Sequence, residues 1–369
     1  MFIDHIVNVP HVDQKAFDMI KATPLPVMLF GAGKAAWHIL RYLRSHNIEP
    51  QCICDNNPSK HETVYLGLPV YSYANAKEKM TKNEGKYQIV VSVGATHKDA
   101  IYTQLAKAHE KNPVWYLRGY ELCGEKIDFY YVRKHADRFE NAYLSLADDF
   151  SRNVFINVLN AKISGNFAFY EEIMSKTQYF DENIVKLTPN EVFLDVGAYT
   201  GDAVIEFIKR TNERYDSIIA VEPDKKTFTK LCKTVVKTGI DKVELHNMGA
   251  WDKHGFLFFH DGQEASSCLS EVTGDISLAS SVEVDAIDNI LNGRRVTYIS
   301  MDIEGAESQA ILGAEQSIKK WKPKMAVSVY HKREDLFALL LLIKSFVSEY
   351  KFYLRHYTDN QTETFLYAI

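Results

Sequence analysis

The fold is decided by one stretch of the chain, Val192-Phe193-Leu194-Asp195-Val196-Gly197-Ala198-Tyr199-Thr200-Gly201-Asp202. Three apolar residues lead into Asp195, and an apolar-periodic segment, Ala203 to Ile208, follows directly. This pattern predicts a buried strand, a tight turn and the start of a helix. Gly197 and Gly201 let the backbone of the turn approach a ligand, and the first N–H groups of the helix offer hydrogen-bond donors. The stretch therefore predicts a nucleotide-binding corner.

Acidic residues around this corner indicate which ligand it holds. A second predicted strand, Ser217 to Val221, ends in Glu222 and Pro223. A carboxylate in that place can accept hydrogen bonds from both ribose hydroxyls of a nucleoside. Asp195 and Asp202 flank the turn, where they would repel a pyrophosphate but suit the sulfonium and ammonium groups of S-adenosylmethionine. We interpret the corner as a methyl-donor site; the alternative is an ordinary strand-turn-helix with a surface acid.

Composition limits the class of protein. The chain has 369 residues, of which 46% are hydrophobic, enough for two or three domains with sizeable cores. A net charge of −5 argues against general affinity for nucleic acid or anionic membranes. The first residues lack the pattern of an export signal, and the longest apolar run, Leu336 to Ile343, is too short to span a bilayer. Five scattered cysteines without a CxxC pair are typical of reduced thiols. We expect a cytoplasmic protein with neither nucleic-acid nor membrane partners.

The pattern of apolar segments divides the chain into four parts. Residues 1–23 are an N-terminal segment, 24–119 a small Rossmann-like α/β domain, 120–185 a helical, aromatic-rich segment and 186–369 a second Rossmann-like domain. We therefore predict an α/β protein with two Rossmann-like domains joined by a helical segment. Gln178-Tyr179-Phe180, just before the second domain, either caps a cofactor pocket or packs in the core.

A second glycine-rich turn opens the first domain. Val27 to Phe30 reads as a strand, Gly31-Ala32-Gly33-Lys34-Ala35-Ala36 fits GxGxxA, and a further strand ends at Asp55. Because this turn has no acids, Gly31, Gly33 and Asp55 are a possible second nucleotide site, for a dinucleotide or a nucleotide sugar. About five strands alternate with helices, which predicts a parallel sheet. The layout resembles small nucleotide-binding-like domains at the front of sugar-modifying enzymes. GxGxxA alone is a weak signal, so a scaffold or oligomerisation role stays open.

Two further segments of the second domain lie near the predicted corner. A third strand is predicted over Lys242 to Asn247, and we expect Asn247 and Ala250 to lie where the adenine of the donor would sit. Residues 255–284 include alternating apolar and polar stretches, which predict the strands of a β-hairpin.

Outside the first turn, Tyr298 to Glu307 is the stretch whose residues most clearly indicate a functional role. A strand ends at Asp302, Glu304 projects to the same side, and Gly305 permits a close turn into a helix. Carboxylates at the C-terminal end of a central parallel strand lie over the ligand crevice, so we predict functional roles for Asp302 and Glu304. We interpret Glu307 as a solvated acid at the start of the helix.

Histidines supply candidate bases. His331 and His356 each follow a predicted strand, and His331 is the first choice for a base or for a group that positions the acceptor, with Asp302 second. The alternative for His331 is a hydrogen-bonded structural histidine. Asp302, Glu304 and a histidine could hold a divalent cation, but the ligand spacing is not dense, and we predict no metal.

Several of these motifs together resemble the FkbM family of S-adenosylmethionine-dependent methyltransferases. The resemblance covers about residues 145–369 and rests on the stretches Asp195 to Asp202, Val221 to Pro223, Gly249 to Asp252, Met301 to Glu307, Ile311 to Ala314 and Lys322-Pro323. It implies a class I methyltransferase fold with a seven-stranded sheet, methyl transfer to hydroxyls of sugars or polyketide-type metabolites, and donor contacts by Asp195, Gly197 and Glu222. Tyr199 stands where many members have Asn.

We therefore predict an S-adenosylmethionine-dependent O-methyltransferase for a sugar, nucleotide sugar or related small metabolite. The predicted donor-binding residues are Asp195, Gly197, Tyr199, Gly201, Asp202, Glu222, Pro223, Asn247, Ala250, Asp302 and Glu304. The partner is a small-molecule or glycan acceptor, a homo-oligomer is possible, and the front domain suggests polysaccharide biosynthesis by association only. The alternatives are a nucleotide-dependent sugar-modifying enzyme or oxidoreductase that uses the GxGxxA site, and a non-catalytic binding or assembly protein.

Overall fold

The computed structural model describes residues 2–80, 85–117, 126–259, 269–270 and 280–369. These residues form a mixed α/β fold with three sheets. The chain divides into two compact units, one of Met1–Ile6, Tyr130–Ala161 and Phe167–Ile369, the other of Val7–Phe129 and Lys162–Asn166. Residues of the predicted helical segment 120–185 thus occur in both units. Within the described ranges, no helix is long and apolar enough to cross a bilayer.

The unit formed mainly by Val7–Phe129 contains a six-stranded sheet in the order β3-β4-β2-β1-β5-β6. Its strands are β1 Val27–Phe30, β2 Cys52–Cys54, β3 Thr63–Tyr65, β4 Leu68–Tyr71, β5 Gln88–Val91 and β6 Val114–Tyr116. Its helices are α1 Val12–Ala22, α2 Lys34–Ser45, α3 Tyr73–Lys79 and α4 Ala95–Lys107, with a short 3-10 helix at Pro58–Lys60. Because α2 covers one face of β1 and α3 and α4 lie by the other, β1 is buried on both sides and reads as an unbroken apolar run.

The prediction of five parallel strands in this sheet was wrong in one respect. β3 is an additional strand, and it runs antiparallel to β4. Leu66 and Gly67 connect the two strands with φ of 54° and 84°, the positive values that a tight hairpin turn requires. Thr63 and Val64 are exposed, so β3 lacks the apolar alternation by which a strand is recognised from sequence.

Glu110 is at the centre of a hydrogen-bond network in this unit. Its buried carboxylate accepts hydrogen bonds from the hydroxyls of Tyr73 and Tyr87, and from the backbone N–H of Asn112 at 2.9 Å. Lys77 Nζ lies 3.4 Å from Oε2. Burial would raise the pKa of Glu110, but the hydrogen bonds from Tyr73, Asn112 and Tyr87 outweigh it and lower the pKa to about 2.

We expect Glu110→Gln to lower the free energy of unfolding by about 2 kcal/mol at pH 7 and by less at pH 3. The folded pKa lies below the ordinary value of 4.5, so the ionised group stabilises fully above that value. This contribution is lost as the pH falls towards about 2. Urea unfolding followed by circular dichroism at both pH values measures the difference, with exposed Glu62→Gln as the control. An equal loss at pH 7 and pH 3 would contradict the assignment.

The other unit contains a seven-stranded sheet in the order β16-β17-β15-β14-β7-β8-β9 and a four-stranded sheet in the order β10-β13-β11-β12. The strands are β7 Val192–Val196, β8 Ser217–Val221, β9 Val243–His246, β10 Gly249–Trp251, β11 Gly255–Phe259, β12 Leu269–Ser270, β13 Ser280–Ala286, β14 Tyr298–Met301, β15 Lys324–Ser328, β16 Phe352–His356 and β17 Thr364–Ala368. In the larger sheet, β17 is antiparallel to both of its neighbours and the other pairs are parallel. The predicted hairpin strands are β11 and β13, which pair antiparallel; residues 260–268 and 271–279 lie outside the described residues.

The remaining helices belong to this unit, except that Phe129 and residues 162–164 fall in the other unit, and the first four of them lie in the aromatic-rich segment. They are α5 Phe129–Lys134, α6 Ala136–Ser145, α7 Asp149–Ser164, α8 Ala168–Glu171, α9 Asp202–Arg210, α10 Lys225–Thr238, α11 Ile287–Leu291, α12 Glu307–Leu312, α13 Glu315–Trp321 and α14 Asp335–Phe346, after a 3-10 helix at Phe2–His5. Phe193 of β7 stacks on Phe207 of α9 and on Tyr298 of β14, with ring centroids 4.5 and 5.4 Å apart. This stack holds α9 against the centre of the sheet.

Candidate functional site

The candidate site lies at the C-terminal edge of the parallel strands β7, β8, β14 and β15. These strands are neighbours in the sheet, in the order β15-β14-β7-β8. Asp195 lies in β7, Glu222 follows β8, Asp302 follows β14 and His331 comes three residues after β15. Because the carboxyl ends of neighbouring parallel strands meet at one edge, the topology brings together residues that are far apart in sequence.

The turn after β7 is shaped by glycines. Gly197 has φ of 86°, and a Cβ atom there would lie 2.1 Å from the carbonyl oxygen of Asp302. Gly201 has φ of 94° and precedes the first residue of α9. Tyr199, between them, also has a positive φ, 48°, although it is not glycine, and its side chain is exposed. Backbone strain of this kind in a bulky residue is concentrated at ligand sites, so the turn has the features of a binding loop.

Glu222 connects the end of β8 to this turn. Its Oε2 accepts a hydrogen bond from the backbone N–H of Tyr199 and its Oε1 accepts one from Asp224, both at 2.9 Å. Burial and the charges of Asp224 and Asp195 raise the pKa of Glu222 to about 7, against the effect of these two N–H groups. The carboxylate is thus held in one orientation beside the turn, where remaining lone pairs can accept hydroxyl groups of a ligand.

Asp195 lies behind the turn and is buried. Its Oδ1 accepts a hydrogen bond of 2.5 Å from the Ser300 hydroxyl, while Oδ2 is buried without a hydrogen-bond partner among the described residues. Burial raises the pKa of Asp195 to about 6, with a contribution from Asp202 and against the bond from Ser300. A buried carboxylate oxygen without a donor costs free energy, and such groups are typical of functional sites.

Three other residues were predicted to contact the methyl donor, and the structure places each of them differently. The side-chain amide of Asn247 donates to the backbone carbonyls of Glu222 and Pro223, at 2.9 and 3.2 Å. Asp202 is exposed at the start of α9 and accepts a hydrogen bond from Thr200. Ala250 is buried in β10, within the four-stranded sheet. Asn247 thus fixes the chain at the end of β8, whereas Ala250 is a buried residue of the smaller sheet.

A second cluster surrounds the imidazole of His331. Nδ1 is 2.9 Å from Glu307 Oε1, and Nε2 is 3.5 Å from Asp302 Oδ1 and 3.6 Å from Glu304 Oε2. Burial opposes the charged imidazole, but the hydrogen bond to Glu307 and the charges of Glu307, Asp302 and Glu304 raise the pKa of His331 to about 9. For Asp302, burial and the carboxylates of Glu363, Glu307 and Glu304 raise the pKa to about 7, against the charge of His331. At neutral pH the imidazole therefore holds its proton while Asp302 is close to its titration point.

The prediction that Glu307 is a solvated acid was wrong, because its side chain is only 1% exposed. Its Oε1 accepts hydrogen bonds from the backbone N–H groups of Ile303 and Gly305, at 3.0 and 3.3 Å, and from the Ser328 hydroxyl at 2.9 Å. The first turn of α12 faces inward, against the end of β15, so the carboxylate closes its own loop instead of pointing into water.

Two tyrosines complete the cluster. Tyr330 donates its hydroxyl to Asp302, 3.2 Å from Oδ1 and 3.1 Å from Oδ2, and the Tyr179 hydroxyl lies 3.5 Å from Oδ2. Tyr179 has φ of 60°, and Gln178 beside it donates to Glu363, which has φ of 65°. The sequence indicates the stretch Gln178 to Phe180 either as a cap or as core, whereas no pattern distinguishes Tyr330 from an ordinary strand end. The described residues Asp302, Glu307 and His331 also offer potential metal-ligand atoms within 4.8 Å of one another.

The glycine-rich turn of the other unit has a different arrangement. Gly31 has φ of 115°, and a Cβ there would lie 2.5 Å from the side chain of Val93. Asp55, the acid after β2, accepts a hydrogen bond of 2.7 Å from the backbone N–H of Ala32 and pairs with Lys60 Nζ at 3.1 Å. Both interactions use Asp55 Oδ2, so this carboxylate is engaged with the turn itself.

Comparisons with known proteins relate this chain to a methyltransferase family. Residues 195–356 match the protein family described as Methyltransferase FkbM domain. A crystal structure of methyltransferase FkbM from Methylobacillus flagellatus KT has the same fold, with 22% identity, a TM-score of 0.74, and coverage of 96% of this chain and 93% of that one. An rRNA methylase from Streptococcus thermophilus is 12% identical, with a TM-score of 0.33 over 49% of this chain and 87% of that one. The comparison with curated proteins gives no match. Residues 195–356 are therefore an FkbM-family methyltransferase domain, and the chain is a methyltransferase.

Proposed function

We propose that this methyltransferase takes its methyl group from S-adenosylmethionine and transfers it to a hydroxyl of a sugar, nucleotide sugar or related small metabolite. The observation that carries the proposal is the edge of the seven-stranded sheet, where Glu222 faces the glycine turn and the Asp302–His331 cluster follows two strands away. The strand order, with antiparallel β17 inserted between β15 and β16, supports a class I methyltransferase arrangement.

The donor half of the proposed site is acidic. Glu222 is oriented by two backbone N–H groups and can accept both ribose hydroxyls. Asp195 has a buried oxygen without a hydrogen-bond partner among the described residues, and Asp202 begins the next helix. These carboxylates favour a ligand with positive charge, which distinguishes S-adenosylmethionine from the pyrophosphate of a dinucleotide.

The acceptor half is the cluster around Asp302. Methyl transfer is an in-line displacement at carbon, so the protein must align the hydroxyl and remove its proton. The carboxylates around His331 keep its imidazole protonated, which makes Asp302 the better base and His331 a positioning group. This reverses the order of preference that the sequence alone suggests. Glu304 and Glu363 lie beside Asp302 and can accept hydrogen bonds from neighbouring hydroxyls, as a polyol acceptor requires.

The proposal is tested by calorimetric titration of the whole protein with S-adenosylhomocysteine, S-adenosylmethionine and, separately, NADH. We expect dissociation constants in the micromolar range for the adenosyl ligands and no heat with NADH. A panel of sugars and nucleotide sugars is then screened with methyl-labelled donor. Binding of NADH without binding of either adenosyl ligand would refute the proposal and move the chemistry to the turn at Gly31 and Gly33, where engagement of Asp55 gives the dinucleotide alternative less support.

A further inference from the structure

The Nε2 atom of His331 has an unusual environment. The side chain is only 9% exposed, and Nε2 has no hydrogen-bond partner among the described residues. Yet it faces two carboxylate oxygens, Asp302 Oδ1 at 3.5 Å and Glu304 Oε2 at 3.6 Å. A direct charged hydrogen bond would bring such atoms to about 2.8 Å, so the two carboxylates flank Nε2 without a direct hydrogen bond to it.

We propose that His331 Nε2, Asp302 and Glu304 bind a divalent transition-metal cation, Mn²⁺ or Zn²⁺, at this point. Ligand atoms about 2.0–2.2 Å from a metal at tetrahedral angles lie about 3.3–3.6 Å apart. The two observed Nε2–oxygen separations, 3.5 and 3.6 Å, lie in this range. One imidazole and two carboxylates are a ligand set that suits both ions.

Glu307 supplies the support that a metal-binding histidine ordinarily has. Its Oε1 is held by Ile303, Gly305 and Ser328 and accepts the Nδ1–H of His331. A cation that binds here displaces the Nε2 proton of the imidazolium, and the remaining proton stays on Nδ1 in the hydrogen bond to Glu307. The lone pair of Nε2 is then free to bind the cation. A carboxylate that orients the ligating histidine through its other nitrogen is the usual outer partner of a protein metal site.

The surroundings also favour a cation with an open coordination position. The charges of Glu304, Glu307 and Glu363 act together on Asp302, so negative charge is concentrated here. Glu304 is 40% exposed, which leaves one side of the point accessible to an acceptor. The consequence for catalysis rests on the proposed function: a bound cation would lower the pKa of the acceptor hydroxyl, and His331 would then serve as a neutral ligand.

The experiment is titration of chelator-treated, dialysed protein with Mn²⁺, followed by electron paramagnetic resonance, and with Zn²⁺, followed by calorimetry. We expect one equivalent of cation to bind with a micromolar dissociation constant. Glu304→Gln and His331→Gln should each weaken binding at least 10-fold, and Glu307→Gln should weaken it by about 10- to 100-fold through the loss of support. The matched control is Glu349→Gln. Glu349 is an exposed acid that pairs with Lys322 and does not belong to the His331 cluster.

Two results would overturn the metal site: no binding of either cation to the wild type, or binding that Glu304→Gln leaves unchanged. Glu304 is partly exposed, so its variant tests the site even if His331→Gln fails to fold. Cation binding is measured without donor or acceptor, and donor binding is measured in the presence of chelator. Failure of the metal site is therefore distinguishable from failure of the proposed methyl-donor site.

Discussion

Glu222→Gln is expected to weaken the binding of S-adenosylhomocysteine by about 100-fold. The carboxylate of Glu222 is fixed beside the turn by the N–H groups of Tyr199 and Asp224. It therefore has its binding orientation before the ribose binds. A hydrogen bond to a charged group contributes about 1.5–3 kcal/mol, and the amide keeps only one acceptor oxygen for two hydroxyls. A loss of about 2.7 kcal/mol corresponds to the 100-fold change.

Calorimetry on both proteins measures this effect, and Glu244→Gln is the control. Glu244 lies on the neighbouring strand β9 but pairs with Arg294 and His246 instead of facing the turn. Because the pKa of Glu222 is raised to about 7, protonation should weaken ligand binding to the wild type below that pH. The variant has no such titration. An unchanged dissociation constant in a folded Glu222→Gln protein would place the donor elsewhere.

The local parts of the site could be predicted from sequence because each depends on residues within one strand-turn-helix unit. The turn from Asp195 to Asp202 needs glycine at two positions and an acid at its edge, and this requirement is visible in the chain itself. The end of β14, with Asp302, Glu304 and Gly305, is recognisable for the same reason. The structure adds the positive φ of Tyr199 and Glu304, 48° and 55°, which apolar periodicity does not encode.

The parts that sequence could not predict depend on distant segments. Tyr179 reaches Asp302 across 123 positions, and Tyr330 reaches it across 28 positions from the neighbouring strand. Their convergence follows from strand order, which no local pattern shows. The error on Glu307 has the same origin in part. An acid in the first turn of a helix is ordinarily solvated, but here Ser328 and His331, more than 20 positions away, reach its carboxylate. Two N–H groups of its own loop add to them.

Asp302→Asn is expected to slow methyl transfer by 100- to 10,000-fold while changing the affinity for S-adenosylhomocysteine by less than about threefold. The amide is nearly the same size as the carboxylate and can still accept the hydroxyls of Tyr179 and Tyr330, so the cluster should keep its shape. It cannot take a proton from the acceptor, and it is a poor cation ligand. The rate constant at saturating acceptor, measured with labelled donor, reports this loss.

The expected result is a change in the rate constant without a change in the dissociation constant of S-adenosylhomocysteine. An interaction that acts only as the methyl group moves changes the rate and leaves ground-state binding intact. The control is Asp359→Asn, which alters an exposed acid outside the cluster and should leave both quantities unchanged. If Asp302→Asn instead weakened donor binding in parallel with the rate, Asp302 would belong to the donor half of the site. The proton of the acceptor hydroxyl would then have to leave by another group.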